Sequence, residues 1–186
     1  MSKDDSKNDS TSITDITQET ENNLVFPKEN SLMVSVSMTL MQVISENHLK
    51  PNFKAKLKAQ SKHIFTSKFL PKSCLGDYLN RILKYTKIEE STLVIALIYL
   101  DRICKKNKIL LTEYNVHRLL FSSILASLKY NEDKFYSNIF YAKIGGVEVK
   151  KLNKLEAEFL VHINFDLYVE PQLYEKYETT LLKNCQ

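Results

Sequence analysis

The stretch Val149-Lys-Lys-Leu-Asn-Lys-Leu-Glu-Ala-Glu-Phe-Leu-Val-His-Ile-Asn164 decides how this chain folds. Leu152, Leu155, Phe159, Leu160 and Ile163 recur at the helical period, so the stretch reads as an amphipathic helix. At about 100° per residue, Glu156 projects near the middle of that apolar stripe, away from Lys154 and Glu158 on the polar side. A carboxylate on an apolar face needs a partner to offset its desolvation. That partner is either internal or carried by another protein.

Upstream, the run LLFSSILASLKYN from Leu119 to Asn131 carries a single charge, Lys129. A helix that is apolar or small on nearly every side belongs at the centre of its domain. Lys129 falls near the C-terminal end, where a cation suits the helix dipole, and that alone accounts for a lysine there. Together with Glu156 on the following long helix, it marks a polar contact at the rim of an apolar groove.

The rest of the composition agrees with a helical domain. At 186 residues and 44% hydrophobic, the chain is sized for one domain with a real core. Three glycines and four prolines leave few breaks, which favours long helices over a sheet with many turns. The net charge of +4 is uneven. Residues 1–30 hold seven acids against three lysines, so the remaining chain is distinctly basic. Such a body suits an acidic partner surface and is equally an ordinary solvated exterior. Cys74, Cys104 and Cys185 are widely separated, without a CxxC pair, so neither a zinc site nor a disulfide framework is expected. That usage points to a reducing compartment, cytoplasm or nucleus. The apolar run from Leu93 to Leu100 is far short of the roughly 20 residues of a membrane span.

In chain order, residues 1–23 read as a disordered acidic tail. Residues 24–73 hold a first helix, Ser31 to Asn47, and a lysine-rich connector of short helical pieces between Pro51 and Pro71. Residues 74–170 hold five helices. The first centres on Tyr78, Leu79, Ile82 and Leu83. The second runs from Thr92 to Lys105 with Ser91 as its cap. The third is capped by Thr112 or Asn115 and ends at Asn131. The fourth, Tyr136 to Ile144, stops at Gly145-Gly146. The fifth is the Glu156 helix. Phe165 to Val169 reads as extended, and Pro171 opens a terminal helix within residues 171–186. The expected fold is all-α: a five-helix box with one helix added at each end.

This order, together with its strings, resembles a cyclin box of the P/U type, the single-box family related to fungal phosphate-regulatory cyclins. The strings are Leu75-Gly-Asp-Tyr-Leu-Asn-Arg-Ile-Leu-Lys-Tyr-Thr86, Ala96-Leu-Ile-Tyr-Leu-Asp-Arg102, Asn115-Val-His-Arg-Leu-Leu120, and Lys129-Tyr-Asn-Glu-Asp-Lys-Phe-Tyr-Ser-Asn138. Tyr141-Ala-Lys-Ile-Gly-Gly146, Leu152-Asn-Lys-Leu-Glu156 and Phe165-Asp-Leu167 follow. The resemblance implies a subunit that binds and activates a cyclin-dependent protein kinase. It places Lys129 and Glu156 against the backbone at the start of the kinase C-helix. It makes Ala126, Tyr130, Leu160, Phe165 and Leu167 the neighbouring apolar contacts. It also matches Asp101 to an aspartate in a structural ion pair, with Arg81 or Lys72 as its partner here.

Other chemistry finds no support in the sequence. His48, His63, His117 and His162 are scattered, Gly145-Gly146 lacks the pattern of a phosphate loop, and no nucleophile–base spacing is present. The expectation is therefore a non-enzyme without cofactor, metal, small-molecule substrate or membrane attachment. The rival reading is a cyclin-fold transcription factor or nucleic-acid-binding adaptor, with the lysines from Lys50 to Lys72 meeting phosphates. Arg81, Arg102 and Arg118 are the only arginines and make no recognition helix, so nucleic acid is the weaker partner.

Overall fold

A computed structural model describes residues 31–183, so the expected acidic tail of residues 1–23 lies outside the described residues. Among those described there are eight α-helices and no strand. They are α1 (Ser31–His48), α2 (Phe53–Ala59), α3 (Leu75–Thr86), α4 (Glu90–Lys106), α5 (Val116–Asn131), α6 (Asn138–Gly145), α7 (Val149–Ile163) and α8 (Pro171–Lys183). A 3-10 turn, Gln60–Lys62, extends α2. The box is α3 to α7, with α1 and α8 as the added helices.

Helix α5 is the axis, as its composition requires. Every residue from Leu119 to Leu128 is buried, including Ser122, Ser123 and Ser127. It packs against α4 and α7, which also touch each other. Small serines let the backbones approach, and two of their hydroxyls are satisfied by carbonyls. Ser127 Oγ donates to Thr92 O across to α4 at 2.8 Å, and Ser123 Oγ to Leu120 O at 2.7 Å. Helix α3 sits beside α1 and α6, and α8 lies against α1 and α4. The core face of α1 is Leu32, Met33, Val36, Leu40 and Ile44, spaced as one helical stripe.

The helix ends show two departures from expectation. Helix α4 begins at Glu90 rather than at Thr92, and its cap residue is Glu89. Ser91 lies inside the first turn, where its hydroxyl donates to the Glu89 carboxylate at 3.2 Å. The acceptor at this end comes from Glu132, just past α5. Its Oε1 takes the Glu89 backbone N–H at 3.2 Å and the Thr92 hydroxyl at 2.6 Å. A carboxylate at a helix N-terminus also complements the dipole. Asn115 is the cap residue of α5, but its side chain reaches backwards. Its Oδ1 accepts from Thr112 N at 2.8 Å and its Nδ2 donates to Leu110 O at 2.9 Å, holding the preceding loop.

Helix α6 stops as expected, with Gly146 at φ 64°. That left-handed conformation suits glycine, which has no Cβ to clash. Gly145 is needed for a different reason: a Cβ there would overlap the buried ring of Phe121. Helix α7 ends on two left-handed residues, Asn164 at φ 58° and Phe165 at φ 55°. Phe165 therefore does not open the extended stretch. It turns the chain sharply, and residues 166–170 then run without regular structure into α8.

Candidate functional site

Lys129, the last cation of α5, and Glu156, in the middle of α7, meet at 2.5 Å between Nζ and Oε1. Their side chains are 26% and 16% exposed, so each is largely withdrawn from water. A third residue closes the cluster. Asn138, the first residue of α6, accepts from Lys129 Nζ on its Oδ1 at 2.7 Å and donates from Nδ2 to Glu156 Oε2 at 2.7 Å. The same Nδ2 reaches Asn153 Oδ1 at 2.8 Å. Three helices thus converge on one polar point, where cation, amide and carboxylate satisfy one another. Of the two partners open to Glu156, the internal one is present in this structure.

The apolar residues expected beside the pair fall into three groups by exposure. Tyr130, immediately after Lys129, is exposed, as is Phe165 at 66%. Leu160 and Leu167 are half-buried and pack against the core. Ala126 is only 4% exposed and belongs to the interior of α5, so its methyl offers almost no surface. Phe135, Tyr136 and Ile139, between α5 and α6 and at the start of α6, are exposed as well. Tyr136 is held in place: its ring lies 4.3 Å from that of Phe140, and its backbone N–H donates to the Tyr141 hydroxyl at 3.0 Å.

The segment after α7 is fixed by two side chains of α4. The Tyr99 hydroxyl donates to Leu167 O at 2.5 Å. Burial pushes its pKa up to about 12; the amide of Asn131 works against that rise, and Tyr130 also lies within electrostatic reach. Arg102 adds a guanidinium that donates to the carbonyls of Asp166 and Tyr168 and pairs with the Asp166 carboxylate at 3.1 Å. Forked donation of this kind fixes backbone direction as well as position. Phe165 and Leu167 are thereby presented from a braced turn.

The expected Asp101–Arg81 pair does not form. Asp101 Oδ2 instead takes Lys105 Nζ at 2.6 Å and the Tyr177 hydroxyl at 2.6 Å. Arg81 donates from Nε to Ile144 O at 3.0 Å and lies over the Tyr78 ring. The reason is topological. Asp101 faces α8, whereas α3, which carries Arg81, packs on α1 and α6. Lys72 is exposed and makes no ion pair with Asp101.

Asn138, Arg102 and Tyr177 were not singled out as site residues on the sequence. Asn138 follows Ser137 at the head of a short helix, where an amide reads as local capping. Arg102 lies inside a matched string but donates to carbonyls more than 60 positions away. No His, Cys, Asp and Glu grouping suited to a metal occurs among the described residues. No described helix is long and apolar enough to cross a membrane.

Comparison with known proteins fits this architecture. The family model for the cyclin domain matches residues 3–167. Cyclin-U2-2 of Arabidopsis thaliana is 44% identical over 117 residues, which is 61% of this chain and 50% of that protein. Cyclin-U4-1 of the same plant is 34% identical over 166 residues, 89% of this chain and 80% of the relative. Cyclin-P3-1 of Oryza sativa subsp. japonica is 32% identical over 162 residues, 87% of this chain and 66% of the relative. The chain spans about half the length of Cyclin-U2-2 and of Cyclin-U2-1, and more of Cyclin-U4-1 and Cyclin-P3-1. An all-helical box of the matching order, a cyclin model over most of the chain and relatives of both the U and P types place this protein in the cyclin family, among the P/U-type cyclins.

Proposed function

We propose that this cyclin is a regulatory subunit that binds and activates a cyclin-dependent protein kinase by seating the kinase C-helix between α5 and α7. The observation that carries the reading is the Lys129–Asn138–Glu156 cluster, with Tyr130, Leu160, Phe165 and Leu167 as its apolar neighbours. Lysine donates and carboxylate accepts, so the pair can serve both kinds of backbone group at the end of an incoming helix. Before docking, the two ends satisfy each other through Asn138, so neither is left desolvated and alone. On docking, each exchanges part of that bond for a partner across the interface. Charge-assisted bonds of this kind are worth about 1.5–3 kcal/mol each.

Activation then follows from differential affinity. A kinase needs its C-helix glutamate paired with the lysine that holds the ATP phosphates. A rigid surface that binds the inward position of that helix more tightly shifts the population towards it by the difference in binding free energy. The cyclin itself carries out no chemistry in this scheme, and its place of action is the cytoplasm or the nucleus.

The test is affinity purification of the full chain from its native cell, beside the Lys129→Ala, Glu156→Ala double variant. The wild type should bring down a cyclin-dependent kinase with activity towards a protein substrate. The variant should keep its helical circular dichroism and lose the kinase. Equal recovery by both proteins would remove these side chains from the proposed interface.

A further inference from the structure

A cavity of about 580 Å³ lies between α1, α4, α8 and residues 109–111, lined by none of the residues of the polar cluster. Its floor is apolar, formed chiefly by Leu40, Leu97, Leu100, Ile109 and Leu111. Two side-chain hydrogen bonds brace its walls. Ser35 Oγ donates to Leu181 O at 2.6 Å, joining the first half of α1 to the end of α8. Asn47 Nδ2 donates to Leu111 O at 2.9 Å, joining the end of α1 to the loop before α5. The cavity lies along α1 between these ties, at Thr39, Leu40 and Val43. An apolar space of this size is of the order that small-molecule sites occupy.

Charge at the cavity is one-sided. Lys50, Lys105 and Lys176 line it, with Asp101 as the sole acid, and Asp101 is already taken by Lys105 and Tyr177. Lys50 donates to the neutral amide oxygen of Asn47 at 2.6 Å. Neither Lys50 nor Lys176 makes an ion pair among the described residues. Cys104 adds no negative charge, because burial pushes its thiol pKa up to about 12. Two lysines without an ion-pair partner among the described residues thus line different walls, one just past α1 and one on α8.

We propose that this cavity binds a small anionic amphiphile: a monocarboxylate of medium chain length, its alkyl chain against Leu97, Leu100 and Leu111 and its head between Lys50 and Lys176. Charge complementarity selects the anion, and the apolar floor selects the chain. A space of about 580 Å³ suits a compact ligand better than a partner helix. The assignment does not depend on kinase binding.

Isothermal titration of the full chain with dodecanoate, dodecanol and dodecylammonium, each below its aggregation concentration, tests it. Dodecanoate should bind one per chain, at least tenfold more tightly than dodecanol, and dodecylammonium should not bind. The Lys50→Gln, Lys176→Gln double variant should bring dodecanoate down to the level of dodecanol. Thr180→Trp, an exposed lining position on α8, should block both, and its ring would be the only tryptophan in the chain and so a fluorescence reporter. Equal affinity for acid and alcohol, several ligands per chain, no binding at all, or binding untouched by the lysine variant would overturn the proposal. Preferential capture of an acidic peptide at the same lysines would overturn it too, in favour of a protein ligand. If the tryptophan variant fails to fold, the lysine variant alone decides.

Discussion

Asp101 and Glu156 are both carboxylates bonded to a lysine and to one further side chain, yet they sit in different physical settings. Glu156 reaches from α7 to Lys129 on α5, and Asn138 of α6 locks the pair from a third helix. Asp101 takes Lys105 one turn along its own helix, and that lysine is 75% exposed. The first arrangement is tertiary: it exists only when three helices have met, and its charges are largely out of water. The second is mostly local, with only the Tyr177 hydroxyl crossing to α8. The same chemical bond therefore reports on assembly in one place and decorates a helix in the other. The cluster's bonds join three helices, whereas the Asp101–Lys105 bond stays within one.

Truncation at each carboxylate should give the largest contrast. Glu156→Ala leaves a shielded ammonium and an amide N–H short of their acceptor, and should cost about 1–3 kcal/mol of unfolding free energy. Asp101→Ala frees an exposed lysine to water and should cost less than about 1 kcal/mol. Urea denaturation of both variants measures the difference, and equal losses would break the distinction. Next in size is Arg102→Ala, which should release residues 166–168 from α4. Amide exchange in that segment should quicken about tenfold, or roughly 1.4 kcal/mol of local protection, while that of α5 stays unchanged. Loss of protection throughout the chain would show that Arg102 supports the whole box and not the turn.

A double-mutant cycle sharpens the same comparison. Lys129 with Glu156 should show coupling of about 1 kcal/mol or more, whereas Asp101 with Lys105 should show about 0.3–0.5 kcal/mol, the range for an i,i+4 pair. The smallest effect at neutral pH is expected for Tyr177→Phe, about 0.5 kcal/mol from one hydroxyl. Its signature lies at alkaline pH. Burial raises the Tyr177 pKa above its ordinary value of 10.0, and the hydrogen bond to Asp101 and that carboxylate's charge raise it further. The native state therefore holds this proton more firmly than the unfolded chain does. The resulting stability is complete below about pH 10 and declines as pH climbs towards the folded pKa. The phenylalanine variant should lose stability less steeply above pH 10, and an identical slope would refute the assignment.

How much was legible in the sequence follows the same division between local and assembled. The helices α3 to α7 could be read because Leu152, Leu155, Phe159 and Ile163, like their counterparts elsewhere, mark a buried stripe at a fixed local spacing. Lys129 and Glu156 stood out because each is a charge where the pattern calls for apolar residues. Their mutual contact remained one of two open options, since periodicity gives the face of a helix and not its neighbour. Asp101 was misassigned because the matching string suggested a distant arginine, while Lys105 stood four residues along on the same helix. Ala126 was counted with the contact residues although a methyl on a helix buried on all sides has little surface to give. Asn138 stayed hidden because a short polar side chain at the head of a helix reads as a cap. An asparagine just past Ile163 is a sign of a left-handed helix stop, but Phe165 carried none, since phenylalanine seldom adopts that conformation.

Glu132 has a consequence for how the two central helices are joined. The N-terminus of α4 borrows its acceptor from a residue 43 positions after Glu89, beyond the end of the helix it packs on. The tie at Glu89 and Thr92 therefore forms only when α4 and α5 have packed together. One carboxylate thus couples the start of one central helix to the finish of the other, and Glu132→Ala would separate them without touching the backbone bonds of either.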